Sequence, residues 1–352
     1  MNIYANKLYL EDLNIASNVK LPFSRLKDKK ILITGARGLI GSFLVDILMK
    51  KNIEENLNLQ IIVLGRSEEK ILERFSKYQD RKDFKILIYD INSNDEIDYN
   101  EKIDFILHLA SNTHPVAYAT DPIGTIKSNV IGLDKLLNFA TKNETERFLF
   151  ASSNEIYGEN RGDTELFDEK YCGYIDSNTL RAGYPESKRC GEALCQAYIQ
   201  QKNLDCVIAR FTRSYGPTML KTDSKAISQF IKNGINKENI ILKSEGNQYY
   251  SYTYMADAAV GCLFVLLLGK TGEAYNIADI NSDIRLKDLA KKISDIAGTK
   301  VKFELPNEVE AKGFSKATIA RLDSGKLQDI GWKANYNIDS GLERTIKILE
   351  NF

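Results

Sequence analysis

Ile31-Leu32-Ile33-Thr34-Gly35-Ala36-Arg37-Gly38-Leu39-Ile40-Gly41 is the stretch that decides the fold. Its apolar residues predict a short buried strand, and its glycines predict a turn into an amphipathic helix over Ser42 to Lys50. We expect Gly35 to permit the tight turn, Gly38 to let a pyrophosphate approach the backbone, and Gly41 to let the helix pack closely on the strand. The free N–H groups at the start of the helix suit that anion. An isolated glycine turn is also a plain strand-to-helix connection, but its position between a strand and a helix favours dinucleotide binding.

Length and composition are ordinary for a folded protein with one large or two moderate domains. Of the 352 residues, 43% are hydrophobic, and 48 Lys and Arg balance 48 Asp and Glu, which gives no basic surplus for nucleic acid. The segment from Met1 to Lys30 lacks the apolar core of a signal peptide, and the longest apolar run, Cys262 to Leu268, is too short for a membrane helix. Five cysteines without a Cys-x-x-Cys pair and two histidines predict no metal site. We expect a cytoplasmic protein that binds neither nucleic acid nor a membrane.

Strands and helices alternate along the chain. Apolar runs predict further strands at 60–64, 85–89, 104–109, 147–151, 206–211 and 273–278, and helical patterns lie at 68–78, 124–141, 184–201 and 260–268. Most of the strands are apolar throughout, which is typical of a parallel sheet covered on both faces. We therefore predict an α/β fold: a Rossmann-type doubly wound parallel sheet with a smaller α/β substrate-binding domain.

The predicted boundaries follow from this alternation. Residues 1–28 form an N-terminal extension, in which Leu8, Leu10, Leu13 and Ile15 can pack a short helix on the body. Residues 29–211 form the NAD(P)-binding domain, with a return segment near 254–280, and residues 212–352 form the smaller substrate-binding domain. Ligands bind beyond the carboxyl ends of the strands in such sheets, so the residues just after each strand matter most.

Two groups of residues carry acid/base chemistry. Tyr184 and Lys188 are one helical turn apart, so a lysine ammonium can lower the pKa of the phenol and make it a general acid or base. An exposed pair on an amphipathic helix is the alternative, and the glycine turn makes it less attractive. After the fifth predicted strand, Ser153 can hydrogen-bond a sugar hydroxyl or a carbonyl. Glu155 is either a second acid/base group or a solvated loop carboxylate.

The chain resembles the nucleotide-sugar epimerase/dehydratase family of extended short-chain dehydrogenases/reductases from about Lys29 to its C-terminus. The matching motifs are Ile31 to Gly41, His108-Leu109-Ala110-Ser111, Ser152-Ser153-Asn154-Glu155-Ile156-Tyr157-Gly158, Tyr184 with Lys188, Tyr215-Gly216-Pro217 and Gly331-Trp332. Within the family, the stretches Asp121 to Asn129 and Arg181 to Tyr184 look most like UDP-glucuronate decarboxylases. The resemblance implies an NAD(P)-dependent enzyme that acts on a nucleotide-activated sugar.

The resemblance also implies a mechanism. Tyr184 takes the proton of a sugar hydroxyl while hydride passes to the nicotinamide, Ser153 holds the same oxygen, and Lys188 holds the nicotinamide ribose. Hydride transfer at or near C4 gives a 4-keto intermediate, and the other groups decide whether the net reaction is decarboxylase-like or epimerase-like. We expect the catalytic residues Tyr184, Lys188, Ser153, Glu155 and Asn154. The expected cofactor-binding residues are Gly35, Arg37, Gly38, Leu39, Ile40, Gly41, Arg66, Asp90, Ile91, Leu109, Ala110, Ser111, Asn129 and Lys188.

Departures from the family pattern concern the substrate. Asn154 stands where 4,6-dehydratases have the aspartic acid that expels water, so ordinary dehydration is disfavoured. Arg213 replaces an asparagine that contacts the substrate, whereas Tyr250 replaces an arginine. We expect Arg213 to bind the diphosphate or an acidic group, with a surface ion pair as the alternative. Arg321 also resembles a substrate contact of the family.

The end of the second predicted strand bears on the cofactor. A carboxylate usually binds the adenosine ribose there and selects NAD, but this chain has Gly65-Arg66, and Arg37 lies in the glycine turn. Two cations suit a 2′-phosphate, so we favour NADP over NAD. NADP preference is commoner among enzymes that consume the reduced cofactor, which keeps a second hypothesis open: an NADPH-dependent reductase of a nucleotide-linked keto sugar or ketose.

Two further expectations complete the sequence-based account. A nucleotide-binding regulatory protein without turnover is the alternative from another class, although the presence of Ser153, Tyr184 and Lys188 together opposes it. The resemblance implies a homodimer formed through the helix after the fourth strand and the helix of Tyr184. Five apolar residues suit such a dimer interface, and they suit packing against the sheet equally well: Leu133, Leu136, Leu137, Leu194 and Tyr198.

Overall fold

A computed structural model describes residues 3–113, 115–307 and 317–351. The strands are β1 Lys30–Thr34, β2 Gln60–Gly65, β3 Phe84–Ile88, β4 Phe105–His108, β5 Arg147–Ser153, β6 Cys206–Phe211, β7 Arg213–Tyr215, β8 Ile240–Leu242, β9 Tyr249–Tyr250, β10 Tyr252–Tyr254, β11 Ala274–Ile277, β12 Ile284–Arg285, β13 Val301–Phe303 and β14 Ile319–Ala320. The helices are α1 Lys7–Ser17, α2 Leu39–Glu55, α3 Glu68–Phe75, α4 Pro115–Thr120, α5 Pro122–Lys127, α6 Leu133–Lys142, α7 Gly183–Lys202, α8 Ala226–Ile235, α9 Met255–Leu268, α10 Leu286–Ala297, α11 Gly325–Asp329 and α12 Ile338–Glu350.

The main sheet has seven strands in the order β11-β6-β5-β4-β1-β2-β3, and every pairing in it is parallel. The order reverses direction between β1 and β4, which creates the crevice where doubly wound sheets bind ligands. The late strand β11 pairs with β6, as predicted for the return segment. The predicted fold class is confirmed.

Both faces of the sheet are covered, which explains why its strands are apolar throughout. Along β1, Ile31 and Ile33 belong to one buried cluster, whereas Leu32 belongs to another on the opposite face. Successive side chains of a strand point to opposite faces, so a continuous apolar run is what two covered faces require.

The helix after the glycine turn differs from the prediction. It was expected to be amphipathic over Ser42 to Lys50, but in α2 all residues from Gly41 to Met49 are buried, including Ser42 and Asp46. The helix packs against α9 and α1 as well as against the sheet, so it has no solvent face along this stretch. The amphipathic interpretation is therefore wrong.

The N-terminal extension packs on the body through α1. Leu13 and Tyr9 are buried, whereas Leu10 and Ile15 are exposed by about 40%, so the expectation that these two pack inward is wrong. Asn6 caps the helix by accepting hydrogen bonds from the backbone of Leu8 and Tyr9.

The predicted dimer seam is largely buried within the chain itself. Leu133, Leu136 and Leu137 of α6 are 0% exposed and face the sheet, and Leu194 and Tyr198 of α7 pack partly against the same cluster. The sheet-facing alternative is therefore correct for the three leucines of α6, and these three side chains offer no surface to a second subunit.

After β6, the chain forms mainly short strands and helices outside the main sheet. β7 pairs with β10, β9 lies between β12 and β14, and β8 pairs with β13. The helices α8 and α10 pack on each other. In the part of the chain that the structure describes, no helix combines the length and apolar character needed to cross a membrane. Within the same residues, no group of three or more His, Cys, Asp or Glu side chains is arranged to hold a metal ion.

Candidate active site

A cavity of about 1370 Å³ runs along the carboxyl ends of the parallel strands and into the second half of the chain. The predicted residues that line it are Gly35, Arg37, Gly38, Leu39, Ile40, Gly41, Arg66, Asp90, Ile91, Leu109, Ala110, Ser111, Ser153, Asn154, Glu155, Tyr184, Lys188, Arg213 and Tyr250. Two predicted site residues, Asn129 and Arg321, are not in its wall. The cavity therefore brings most of the predicted residues together.

The glycine turn is shaped as a cradle. Gly35 has φ +68°, and a Cβ there would lie 2.6 Å from the backbone nitrogen of Ala110. A Cβ on Gly41 would lie 2.5 Å from the carbonyl oxygen of Gly35. Both positions therefore exclude any side chain, and they bring the start of α2 against the end of β1. Gly38 caps α2 without a side chain, so the first N–H groups of the helix remain available to an anion.

Three positively charged side chains line the end of the cavity next to β2. Arg66 directly follows that strand, Arg37 precedes the first turn of α2, and Lys70 lies in the first turn of α3. The Nε atom of Arg37 is buried and has no hydrogen-bond partner among the described residues. Buried donors are normally satisfied, so this atom is available to an acceptor that enters the cavity.

Asn129 lies outside the cavity wall and forms hydrogen bonds that connect the segments lining it. It is fully buried, accepts a 2.8 Å hydrogen bond from the Ser111 hydroxyl and donates a 2.9 Å bond to Ser187 Oγ. Ser187 in turn donates to the carbonyl oxygen of Tyr184 at 2.8 Å. Asn129 thus connects the end of β4 to the first turn of α7, which carries the predicted acid/base residues.

Tyr184 and Lys188 are buried side by side on α7. Ser153 is a neighbour of the Tyr184 phenol and acts on its pKa, and the Lys188 ammonium nitrogen lies 6.0 Å from the centre of the Tyr184 ring. Lys188 also donates a 2.8 Å hydrogen bond to the carbonyl oxygen of Ala151 at the end of β5. Burial lowers the pKa of Lys188 to about 7, and the carboxylate of Glu192 opposes that shift.

The predicted pKa shift of Tyr184 is wrong. Burial, followed by the nearby Glu155 carboxylate, raises the pKa of Tyr184, and this outweighs the lowering by Ser153, Arg181 and Tyr118. Removing a phenol from water penalises the phenolate form, because only the charged form loses strong hydration. Tyr184 is therefore protonated at neutral pH, which suits a general acid.

Glu155 is not a solvated loop carboxylate. It forms an ion pair with Arg181, and both side chains are largely buried. The Arg181 guanidinium lies 4.8 Å from the centre of the Tyr118 ring, and Tyr118 stacks on Tyr184 with 4.7 Å between ring centres. Both Nε and Nη1 of Arg181 are buried without a hydrogen-bond partner among the described residues. The Arg181 side chain can therefore bind a further acceptor while it stays paired.

Arg213 stacks on Tyr250. Its guanidinium carbon lies 3.4 Å from the centre of the tyrosine ring, and its Nη1 atom is buried without a hydrogen-bond partner in the described part of the chain. The Tyr250 hydroxyl donates a 2.7 Å hydrogen bond to the carbonyl oxygen of Ala317. Burial raises the pKa of Tyr250, while the nearby Arg213 lowers it and Glu155 raises it. The surface ion pair considered for Arg213 is absent from the ion pairs of the described residues.

Arg321 and Asn154 complete the predicted set. Arg321 donates to Asp283 at 2.7 Å and lies 4.6 Å from the centre of the Tyr249 ring. It does not line the cavity, so the structure does not bring this expected substrate contact together with the other site residues. Asn154 is buried and lines the cavity beside Ser153.

Sequence reasoning missed Arg181 and Tyr118 as site residues. Arg181 lies in the turn Leu180–Ala182, directly before α7. The stretch Arg181 to Tyr184 was one of those that resemble UDP-glucuronate decarboxylases, so a signal for Arg181 was available. Tyr118 gives no such signal, because only the fold brings α4 against α7.

Sequence comparisons identify relatives across most of the chain. The model of the NAD dependent epimerase/dehydratase family matches residues 31–278. UDP-glucuronic acid decarboxylase 2 of Arabidopsis thaliana is 28% identical over 334 residues, which cover 94% of this chain and 71% of that protein. UDP-glucuronic acid decarboxylase 1 of Xenopus tropicalis is 29% identical over 320 residues, with 90% and 71% covered.

Solved structures share the fold. The dTDP-glucose 4,6-dehydratase DesIV of Streptomyces venezuelae, solved with NAD, has a TM-score of 0.77 at 22% identity and covers 91% of this chain and 96% of its own. UDP-glucuronic acid 4-epimerase of Bacillus cereus, solved with UDP-glucuronic acid and NAD, has a TM-score of 0.76 at 20% identity, with 92% and 99% covered. Together with the family match, the glycine cradle and the Ser153, Tyr184 and Lys188 cluster, these likenesses confirm the predicted enzyme class: the chain belongs to the NAD dependent epimerase/dehydratase family.

Proposed function

We propose that this enzyme modifies a nucleotide-activated sugar through hydride transfer at or near C4, with decarboxylase-like or epimerase-like 4-keto chemistry. The observation that carries the proposal is the convergence of Ser153, Tyr184 and Lys188 in the cavity that also contains the glycine turn. A phenol, a hydroxyl and an ammonium around one point are suited to move a proton on and off a sugar oxygen.

The residues at the glycine turn fit a dinucleotide. A Cβ on Gly35 would clash with Ala110, and the uncapped N–H groups at the start of α2 suit a pyrophosphate. We infer that Gly35, Gly38 and Gly41 hold the pyrophosphate and that Lys188 holds the nicotinamide ribose. When bound, the cofactor supplies or accepts the hydride.

The chain's own residues control the proton. Tyr184, protonated at neutral pH, donates its proton to the oxygen of a carbonyl that is being reduced, and it takes that proton back when an alcohol is oxidised. Ser153 hydrogen-bonds the same oxygen and fixes its distance from the phenol. The buried ammonium of Lys188 stabilises the phenolate that forms, because a nearby positive charge favours the charged form of the phenol.

We propose that Arg181 and Arg213 bind an acidic group of the sugar. Both carry buried N–H atoms without a partner among the described residues, and the charges of both act on the Tyr250 side chain. Arg181 also lies over the ring that stacks on Tyr184, so an acidic group bound there is next to the reacting end of the substrate. Paired guanidinium groups bind carboxylates well. This arrangement favours a uronic acid, which agrees with the names of the decarboxylase relatives.

We further propose a preference for NADP over NAD. Support comes from Arg37, Arg66 and Lys70 at the ribose end of the cavity, and from Gly65 and Arg66 at the end of β2, where a carboxylate would select NAD. The solved relatives that contain NAD are an argument for NAD, but they share the fold and only about a fifth of the residues with this chain, so they do not decide the cofactor.

The NADP preference supports a second candidate function, an NADPH-dependent reductase of a nucleotide-linked keto sugar or ketose. A protonated Tyr184 is the proton donor that such a reduction needs. In that case the reduced cofactor is consumed at each turnover, whereas decarboxylation and epimerisation return it.

One experiment separates these candidates. The purified protein is mixed with a panel of UDP-, CDP-, dTDP- and GDP-sugars and cofactor, while the absorbance of reduced nicotinamide and the masses of the products are followed. A product lighter by carbon dioxide with no net cofactor use supports the decarboxylase and excludes the reductase. Stoichiometric loss of NADPH does the reverse. Nucleotide binding without turnover by any substrate supports a regulatory protein and contradicts the proposed function.

We propose three further properties. They are a homodimer, a cytoplasmic location, and the division into an extension (1–28), a cofactor domain (29–211 with the 254–280 return) and a substrate domain (212–352). Size-exclusion chromatography with light scattering tests the first, and fractionation of the native host tests the second. Limited proteolysis that leaves stable fragments ending near 211 tests the third.

A further inference from the structure

Three side chains form a stack beside the predicted acid/base residue. Arg181, on the turn that leads into α7, lies 4.8 Å from the centre of the Tyr118 ring. Tyr118 of α4 also stacks on Tyr184 of α7, with 4.7 Å between ring centres and an angle of 28° between ring planes. The three groups come from segments that only the fold brings together.

Tyr118 interacts with Tyr184 by more than ring contact. Both phenols are buried, with 6% of each residue exposed. Tyr118, like Ser153, acts to lower the pKa of Tyr184. Lowering of this kind is what a donor to the phenolate oxygen produces. Two residues that carry hydroxyl groups, Ser153 of β5 and Tyr118 of α4, are therefore neighbours of the Tyr184 phenol.

We propose that Tyr118 is a positioning residue of the active site: its hydroxyl donates to the Tyr184 oxygen and stabilises the phenolate that forms when Tyr184 gives up its proton. Arg181 also contacts the Tyr118 ring and helps to hold it against Tyr184. This inference rests on the proposed function, because Tyr184 is the proton donor there.

The proton balance involves only Tyr184 and the substrate. In the reducing direction, the O–H bond of Tyr184 breaks, a new O–H bond forms on the substrate oxygen, and the electron pair stays on Tyr184 as phenolate. Tyr118 keeps its own proton and shares it through the hydrogen bond. In the oxidising direction the same bonds form and break in reverse.

Other charged groups also face this pair of phenols. Glu155 raises the pKa of Tyr184 and Arg181 lowers it, while Lys188 lies 6.0 Å from the ring centre of Tyr184. On the other side, Asp223 acts on Tyr118 and is itself paired with Lys225 at 2.6 Å. These groups remain in a Tyr118→Phe variant, so that variant isolates the contribution of a single hydroxyl.

The test is a titration of tyrosine carbons by NMR. Protein labelled with ¹³C at tyrosine Cζ is titrated with oxidised cofactor present and no sugar, and the two resonances are assigned with Y184F and Y118F. In Y118F the Tyr184 pKa should rise by about one unit, since a hydrogen bond to a charged group is worth about that much. An unchanged or lowered value overturns the proposal. Because Phe keeps the stacked ring, a role in packing alone predicts no shift.

Two additional measurements keep the test decisive. Y171F is the matched control, since Tyr171 stacks on Phe167 at 4.3 Å and is not among the groups acting on Tyr184. It should leave the Tyr184 titration unchanged. If Y118F does not fold, the unsubstituted protein still answers: the Tyr118 resonance should shift as Tyr184 ionises, and a Tyr118 resonance that stays fixed overturns the proposal.

A pH profile then connects the pair to the reaction. With any sugar that turns over, the oxidation rate of Y118F below the Tyr184 pKa should fall about tenfold, while KM changes little. Turnover with an unshifted Tyr184 overturns this inference and leaves the proposed function intact. A shifted Tyr184 without turnover of any sugar supports the phenol pair and contradicts the proposed function.

Discussion

Arg213 and Tyr250 are two departures from the family pattern that are far apart in sequence but in contact in the structure. Relative to the pattern of the family that the chain resembles, one position loses an arginine and the other gains one. The structure stacks the new guanidinium on the new phenol at 3.4 Å, so β7 supplies a cation beside the residue of β9 that lost one. The sequence suggested the exchange, but only the fold shows that both residues line the same cavity.

Replacing Arg213 tests its role in binding the substrate. R213A should raise KM for the nucleotide sugar about tenfold or more, because a charge-assisted hydrogen bond to the substrate is lost. The measurement is a steady-state comparison with R285A, since Arg285 stacks on Tyr249 at 5.1 Å outside the cavity. Equal KM values in R213A and the unsubstituted enzyme would remove Arg213 from the site.

Lys188 makes a prediction about pH. With a pKa of about 7 in the free enzyme, its charged form is present below pH 7 and is lost as the pH rises through that value. If the ammonium stabilises the Tyr184 phenolate, kcat/KM for sugar reduction falls as the pH rises through about 7, because kcat/KM reports the pKa values of the free enzyme.

The control for this profile is K188R, which keeps a charge at every pH of the assay. We expect K188R to abolish the fall in kcat/KM near pH 7 while it retains a fraction of the activity. A profile of the unsubstituted enzyme that stays flat from pH 6 to 9 would contradict the role given to Lys188.

At the scale of elements, the N-terminal extension is fastened to the helices that flank the cofactor end of the cavity. Asp46 of α2 accepts hydrogen bonds from Tyr4 at 2.8 Å, from Tyr78 at 2.9 Å and from Tyr9. Arg74 of α3 completes the cluster at 2.6 Å. One buried carboxylate thereby joins the extension, α2 and α3.

Removing that charge should destabilise the protein. D46N leaves the Arg74 guanidinium largely buried without its ion-pair partner, so the free energy of unfolding should fall by about 3 kcal/mol. Urea unfolding followed by the fluorescence of Trp332, the single tryptophan and almost fully buried, measures the change. The control is E54Q on the same helix, which breaks an exposed pair with Lys50 and should change stability by less than about 0.5 kcal/mol. Equal losses in both variants would contradict the account.

Elements themselves were largely predictable from the sequence, and the reasons differ by element. Uniformly apolar runs such as Ile61 to Leu64 are strands because both faces of the sheet are covered. The amphipathic interpretation of Ser42 to Lys50 failed because polar side chains such as Asp46 are satisfied inside the core by partners from other segments. Local patterns do not reveal such partners.

The site was predictable to the extent that it follows from strand ends and helical spacing. Gly35, Ser153, Tyr184 and Lys188 lie together because parallel strands end at one edge of the sheet. The pKa of Tyr184 was not predictable, because it depends on burial and on Glu155, which the sequence leaves open. Tyr118 was not predicted as a site residue because the residues that it contacts, like the partners of Asp46, are distant in sequence.

At the scale of the whole molecule, the cavity extends from the ends of the parallel strands to the short strands and helices that follow β6. Cationic side chains line it at separate places. Arg37 and Arg66 lie next to the ends of β1 and β2, whereas Arg181 lies on the Tyr118 ring and Arg213 on the Tyr250 ring. In the proposed function, the first pair binds the cofactor and the second pair binds the sugar.

The proposed cofactor preference rests on Arg37 and Arg66. NADPH should bind more tightly than NADH, and R66A or R37A should weaken NADPH binding about tenfold while changing NADH binding little. Titration of nucleotide fluorescence measures both affinities. R81A is the control, because Arg81 pairs with Asp83 outside the cavity. Equal losses for both nucleotides in R66A and R37A would contradict the assignment of a 2′-phosphate site.

Hydride transfer at the sugar is the central claim, and one isotope experiment tests it most directly. Nucleotide sugars carrying deuterium at C4, including UDP-glucuronic acid, are incubated with excess enzyme and oxidised cofactor, quenched within a single turnover, and the nicotinamide is analysed by mass spectrometry. We predict deuterium on the nicotinamide ring with at least one sugar, and at least about 100-fold less with Y184F. Binding of the sugars without deuterium transfer from any of them would contradict the account.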